Sequence, residues 1–244
     1  MFFPVETTPL PTGAQEGRGW TPFLSEYPDV SEELRFARRV YPLPETTAAA
    51  FIKRMGLVEK WRGGEHNVYR IANDPEHVIK MSLSGSGAGF VLSEKRSHDG
   101  GAAAAELGMA RSSLRDYIQR LQLANEYFRD DMKVLGVLFD EAAWQQKLVH
   151  QQRYRGEQAS TSGEIDAMMK KYGFQRLKDA NLGKALIGVT YYHQKNNILV
   201  SDCLPKNFRT VNGEAVPFDI VIAEPKGRMR EFTMSNIMEP EATE

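Results

Sequence analysis

Cysteine is nearly absent: Cys203 is the single one in 244 residues. That excludes an intrachain disulfide framework and a cysteine-rich zinc site. No apolar run approaches the ~20 residues that a bilayer-spanning helix needs. Charge of one sign is also missing, since 31 Lys and Arg face 32 Asp and Glu for a net charge of −1. No global field therefore draws nucleic acid or an anionic membrane surface. The five histidines (His66, His77, His98, His150, His193) show no metal-ligand spacing. Met1-Phe2-Phe3-Pro4 has neither a basic start nor a long apolar core, so no secretory signal is expected, and the chain reads as cytoplasmic. There is no internal repeat.

What is present suits a sizeable core. At 41% hydrophobic and 26% charged residues, the composition is that of a globular protein of one large domain or two lobes. The first ~47 residues are proline-rich (Pro4, Pro9, Pro11, Pro22, Pro28, Pro42, Pro44) and aromatic, which predicts an extended segment wrapping the body. A short helix is expected near Ser31–Val40 and another over Thr46–Val58. Strand signals follow at Val58–Trp61, Asn67–Ala72 and His77–Leu83, the last after the turn Asn73-Asp74-Pro75-Glu76. Residues 84–101 read as a flexible linker around a short segment. Leu114, Tyr117, Ile118, Leu121 and Ala124 recur at helical spacing across Ser112–Phe128. Strands are predicted at Met132–Phe139 and Trp144–Gln152. A helix over Ser162–Tyr172 is expected to be capped by Ser162 or Gly163 and stopped by Gly173. Phe174–Leu177, Ile187–His193, Asn197–Val200, Phe208–Val211 and Ala215–Val221 complete the strand-like runs, with Asn212-Gly213 a hairpin turn. No element is assigned to the tail, whose acidic end includes Glu239-Pro240-Glu241.

The chemistry concentrates late in the chain. Asp202-Cys203-Leu204-Pro205-Lys206-Asn207 sets a carboxylate five residues before an amide, and Pro205 disfavours continuous helix between them. Asp219 follows twelve residues later inside the apolar run Val216–Val221. An acid, an amide and a second acid suit metal-assisted phosphoryl transfer, provided a phosphate-binding lysine lies upstream. Val78-Ile79-Lys80 supplies one. Each part also has a plainer reading: Lys80 as a solvated strand residue, Gly63-Gly64 as a simple turn, the Asp202/Asn207 pair as turn and cap. Gly85–Gly89 lacks the lysine and hydroxyl residue of a P-loop and reads as linker. Cys203, without an evident paired base, reads as inert.

In this order the segments resemble a protein kinase: Val78-Ile79-Lys80 the strand lysine, Asp202–Asn207 the catalytic loop with its proline in register, Asp219 the magnesium-binding acid. A closer resemblance is to the small serine/threonine/tyrosine kinase-like domains of polyvalent proteins from phages and conjugative elements. It is carried by Gly64–Arg70, Asn125–Asp131, Gln151–Gly156, Glu164–Phe174 and the terminal acid–amide–acid region, and covers roughly residues 58–224. It implies a two-lobed α+β fold: an extension over residues 1–50, a β-rich N-lobe over 51–150, a reduced C-lobe over 151–224 and a tail over 225–244. It further implies ATP and Mg2+ as cofactors. Asp202 would orient or deprotonate an acceptor hydroxyl, Asn207 and Asp219 would hold magnesium, and Lys80 would fix the phosphates. Arg62–His66, with Gly63 and Gly64, would form the turn over the phosphates. The backbone near Gln151, Gln152 and Tyr154 would bind adenine.

The sequence departs from that pattern in several places. Ser201 precedes Asp202 where a histidine–arginine pair is usual, and Ile220-Val221 follows Asp219 in place of Phe-Gly. No acidic partner for Lys80 stands out: Glu94, Glu106 and Glu126 are candidates, and Gln119 falls near the expected helical turn. Twenty-five residues follow Asp219, fewer than the helical part that binds protein substrates in ordinary kinases. Three readings follow: a phosphotransferase acting on a protein or small-molecule hydroxyl, a non-catalytic nucleotide-binding pseudokinase, or a nucleotidyl transferase on the same fold.

Overall fold

Alternation in the sequence becomes a five-stranded antiparallel sheet in the first of two units. Unit one comprises residues 1–90 and 111–154, unit two residues 91–110 and 155–244. The computed structural model describes residues 37–39, 42–83, 89–96, 105–140, 145–178 and 189–237. The N-terminal extension up to residue 36 and the acidic end of the tail therefore lie outside the described residues. So does most of the Ser31–Val40 helix, of which residues 37–39 are helical. The fold class is α+β with mostly antiparallel strands.

In unit one, helix α1 (Ala48–Arg54) starts at Thr47, whose hydroxyl accepts from the Ala50 amide at 3.1 Å. Strands β1 (Leu57–Arg62), β2 (His66–Ile71) and β3 (Asp74–Ser82) form a meander. The turn into β3 is tighter than the sequence suggests: Ile71 pairs with Asp74, so Asp74–Glu76 belong to the strand and not to a four-residue turn. A register shift after Arg70 accommodates Pro75 near the strand start, where its missing N–H is tolerated. Strands β4 (Phe90–Arg96) and β5 (Ala105–Arg111), mostly in unit two, pair with each other; β4 falls within the 84–101 run expected to be a linker around a short segment, and β5 lies beyond it. Leu92 accounts for this by burying itself in the core of unit two. Helix α2 (Leu114–Phe128), β6 (Lys133–Asp140) and β7 (Gln145–Arg153) complete unit one, with sheet order β1-β2-β3-β7-β6.

Side chains alternate across that sheet and split its contacts between two helices. Tyr69, Ile79, Met81, Leu138 and Val149 pack with Phe51 of α1. Val134, Val137 and Leu148, from the other face, cluster with Leu114, Tyr117, Ile118 and Leu121 of α2. Lys80 pairs with His150 and Val68, so it shares the α2 face. The Ser113 hydroxyl caps α2, and Arg129, in the left-handed region at φ 53°, ends it. Asn125 then accepts from the Met132 amide and donates to its carbonyl, at 2.7 and 2.8 Å, which fixes the entry to β6.

In unit two, helix α3 (Ser162–Lys171) is capped one residue earlier than expected. Thr161 and Glu164 form a reciprocal capping box, which leaves Ser162 and Gly163 inside the helix. Gly173, at φ 81°, terminates the segment in a conformation that favours glycine. Strands β8 (Gln175–Arg176), β9 (Tyr191–His193), β10 (Ile198–Ser201) and β13 (Val221–Ala223) form a sheet in the order β13-β10-β9-β8. Strands β11 (Phe208–Val211) and β12 (Glu214–Pro217) make a hairpin through Asn212-Gly213, both at positive φ (52° and 80°) as a two-residue turn demands. Helix α4 (Gly227–Ser235), which the sequence did not announce, sends Met229 and Phe232 to the cluster of Leu92, Leu177, Tyr192, Leu199 and Val221. Among the described residues, no helix is long and apolar enough to cross a membrane.

Candidate functional site

The loop between β10 and β11 is built to present polar groups. Asp202 sits in the left-handed region at φ 60°, and Pro205–Asn207 forms one 3-10 turn. The Asp202 carbonyl accepts from the Leu204 amide and from the Asn207 side-chain nitrogen, both at 2.8 Å. With Nδ2 committed to that carbonyl, the side-chain oxygen is the Asn207 atom chemically suited to a cation. The Phe218 amide donates to the Asn207 carbonyl at 3.1 Å, which brings Asp219, the next residue, up to the loop.

Asp219 departs from its expected setting. It was read inside a buried strand over Ala215–Val221, yet β12 stops at Pro217, and Asp219 is half-buried in a bend before β13. Pro217 has no N–H for the ladder, and the next N–H is committed to Asn207, so the strand cannot continue. The bend frees the carboxylate from strand alternation.

Other side chains hold the loop from behind. Ser201, in place of the usual brace, lies with its hydroxyl 3.0 Å from that of buried Thr190, and the Cys203 amide donates to the Val189 carbonyl at 3.1 Å. Burial, with Asp202 and Asp166 nearby, pushes the Cys203 thiol well above its ordinary pKa, which fits an inert role. The Tyr191 hydroxyl donates to Asp166, and burial followed by that carboxylate raises the phenol's pKa. Arg209 donates to the carbonyls of Gly156, Lys206 and Phe208 at 3.1, 2.9 and 2.9 Å, and its guanidinium lies 4.2 Å from the Phe218 ring centroid. It ties the residues on either side of Asn207 to Phe218, the neighbour of Asp219. Sequence reading passed over it because an arginine in a strand resembles any solvated charge.

In unit one, Lys80 is 3% exposed, which removes its reading as a solvated strand residue. Its neighbour His150 is also buried, and neither ring nitrogen has a hydrogen-bond partner among the described residues. Desolvation, then the fields of His66, Lys80 and Arg120, hold the His150 pKa well below its usual value, so the ring stays neutral. Gly63 and Gly64 form the exposed turn between β1 and β2, closed by a 2.8 Å bond from the Gly63 amide to the His66 carbonyl.

The proposed adenine-binding backbone runs along the end of β7. Gln151 and Gln152 pair there with Ile79 and Val78, and the Tyr154 amide donates to the Glu76 carbonyl at 2.6 Å. The Gln152 side chain is buried and donates to Asp130 at 2.7 Å. Of the candidate acidic partners of Lys80, Glu126 is exposed on α2, while the side chains of Glu94 and Glu106 fall outside the described residues. The buried charge on α2 is instead Arg120, whose Nη1 donates to both Glu65 carboxylate oxygens at 2.8 and 3.0 Å. Breaking such a buried pair from one side costs about 3–5 kcal/mol. Arg120 was legible: it follows Tyr117 by three residues, so the helical period puts it on the apolar face.

Asn207 and Asp219 fit a magnesium ion that takes only one or two protein oxygens and completes its shell with phosphates and water. Among the described residues no group of three or more His, Cys, Asp or Glu gathers as a self-sufficient metal cage. Comparison with family models, with curated proteins and with solved structures finds no match to this chain.

Proposed function

We propose that the chain is an ATP- and magnesium-dependent phosphotransferase with a two-lobed kinase-like fold, moving the γ-phosphoryl group to a hydroxyl of a protein or small molecule. The observation that carries this reading is the tie of Asn207 to the Asp202 carbonyl, continued by the Phe218–Asn207 backbone bond one residue before Asp219. The sheet order β1-β2-β3-β7-β6, with Lys80 on the face that packs α2, supports the same reading from unit one.

In this proposal Asp202 orients the acceptor hydroxyl and takes its proton as the new phosphate ester bond forms. The Asn207 side-chain oxygen and the Asp219 carboxylate hold the metal; magnesium, when bound, offsets charge on the β- and γ-phosphates. Lys80 contributes a second positive charge toward the phosphates. Its burial sets that charge away from bulk water, in surroundings where electrostatic interactions are stronger. The bond from γ-phosphorus to the bridging oxygen breaks and leaves ADP.

Incubation with γ-labelled and α-labelled ATP tests the proposal on wild type and Asp202→Ala. Transfer of label from γ alone, lost in the variant, supports phosphotransfer. Label from α supports nucleotidyl transfer. The absence of both, with nucleotide still bound, supports the pseudokinase reading that Ser201 and Ile220-Val221 suggest.

A further inference from the structure

Glu65 and His66 close the turn that β1 and β2 make through Gly63-Gly64, and α2 grips both. The Arg120 guanidinium donates to both Glu65 carboxylate oxygens, and the Tyr117 hydroxyl lies 2.9 Å from His66 Nε2. Tyr117 and Arg120 are neighbours on one helix face, so the two contacts act as a pair. From the strand side, the Leu83 amide donates to the Glu65 carbonyl at 2.9 Å. The Gly89 carbonyl accepts from the Ser112 amide and hydroxyl at 3.0 and 2.9 Å. A Cβ at Gly89 would overlap the Tyr117 ring and press on Glu65, so only glycine lets this segment close over the cluster.

Packing alone does not call for this arrangement. A hydrophobic side chain at position 120 would dock α2 without the desolvation that a guanidinium at 5% exposure incurs. The turn closes its own backbone bond without help from α2. What the clamp adds is a fixed position for a turn whose Gly63 amide is committed to the His66 carbonyl and whose exposed Gly64 is conformationally permissive. A backbone amide held in such a turn, here that of Gly64, can donate to an anion.

We infer that Arg120 is a positioning residue: through Glu65, with the Tyr117–His66 contact alongside, α2 sets the Gly63-Gly64 turn over the nucleotide phosphates. The inference rests on the nucleotide reading above and extends it. Helix α2 communicates with the phosphate turn through a basic helix residue and an acidic turn residue, and its placement is coupled to phosphate binding.

The test compares full-length wild type with Glu65→Gln, Arg120→Gln and the swap Glu65→Arg/Arg120→Glu. Two quantities are read: hydrogen exchange at the Gly63 amide, and calorimetric affinity for Mg-ATP and for adenosine. Glu65→Gln removes only a charge and keeps the comparison readable if an Arg120 variant fails to fold. Each single variant is expected to speed Gly63 exchange and weaken Mg-ATP binding by about tenfold, with adenosine changed by less than about twofold. The swap is expected to recover part of both losses. Unchanged Gly63 exchange, or equal loss of Mg-ATP and adenosine binding, would overturn the inference, the latter because a purely structural role does not single out phosphates. Wild type that binds no Mg-ATP sinks the nucleotide reading itself, whereas wild-type binding that Glu65→Gln leaves unaltered sinks the clamp alone.

Discussion

The Asn207 side-chain nitrogen lies 2.8 Å from the Asp202 backbone carbonyl oxygen and donates to it. This bond spans the loop that Pro205 keeps out of regular helix. It also commits the nitrogen end of the Asn207 amide, so the side-chain atom that remains suited to a cation is the oxygen.

Replacing Asn207 by Ala is expected to destabilise unit two by about 1–2 kcal/mol, because the part-buried Asp202 carbonyl loses one donor while keeping the Leu204 amide. It is also expected to abolish any magnesium-dependent gain from ATP. Asn207→Asp keeps a metal-binding oxygen but turns an acceptor toward the Asp202 carbonyl. Its destabilisation is expected to exceed that of Ala at pH 7 and to ease as acid protonates the new carboxyl, measurable in urea at pH 7 and pH 4.5.

Cys203 reports on the core beneath the loop. At 2% exposure, with its thiol pKa raised by burial, it is expected to resist a thiol-specific reagent at pH 8 in the native state. Labelling should follow global unfolding of unit two and accelerate in Asn207→Ala. Immediate native-state reaction would show that the loop does not pack as described.

Asp74 supplies an acid-sensitive link at the start of β3. The His77 side chain, the largest influence, and the Glu76 amide hold its pKa below the ordinary 3.8. A depressed carboxylate stabilises the fold above its unfolded pKa, and that contribution is lost as pH falls through the lower, folded value. The stability difference between wild type and His77→Ala is therefore expected near pH 5 and to shrink below 3.8. Chemical denaturation across pH 2.5 to 6, read against about 3.9 as the unfolded reference, checks it.

Phe51 anchors α1 to the sheet face opposite α2. It is fully buried against Tyr69, Ile79, Met81 and Val149, so Phe51→Ala is expected to cost about 3–5 kcal/mol in urea unfolding. Thr47→Ala, which removes only the cap, is expected to cost about 1 kcal/mol.

Much of the strand order was legible because it rests on short-range signals. Asn212-Gly213 announced its hairpin, and the helical recurrence of Leu114, Tyr117, Ile118 and Leu121 announced α2. Where the sequence misled, long-range contacts decided. Phe218 gives its amide to Asn207 rather than to a ladder partner, so Asp219 lies in a bend. Leu92 finds a core in unit two, so part of a presumed linker becomes β4. Thr161 wins the cap from its neighbours because Glu164 stands three residues after it and can reciprocate. The candidate polar residues themselves were read from identity and spacing, but the groups that hold them were not. Arg209 and Thr190 act through carbonyls and hydroxyls that no local pattern marks.

The central claim is that Asp219 and Asn207 hold magnesium on a bound nucleotide. Calorimetric titration of ATP into wild type and Asp219→Ala, each with magnesium and with chelator, tests it most directly. The account expects wild type to bind ATP more tightly with magnesium than without. Asp219→Ala should lose that difference while keeping its cooperative unfolding. Absence of ATP binding by the folded wild type, or a magnesium effect that survives in Asp219→Ala, would contradict it.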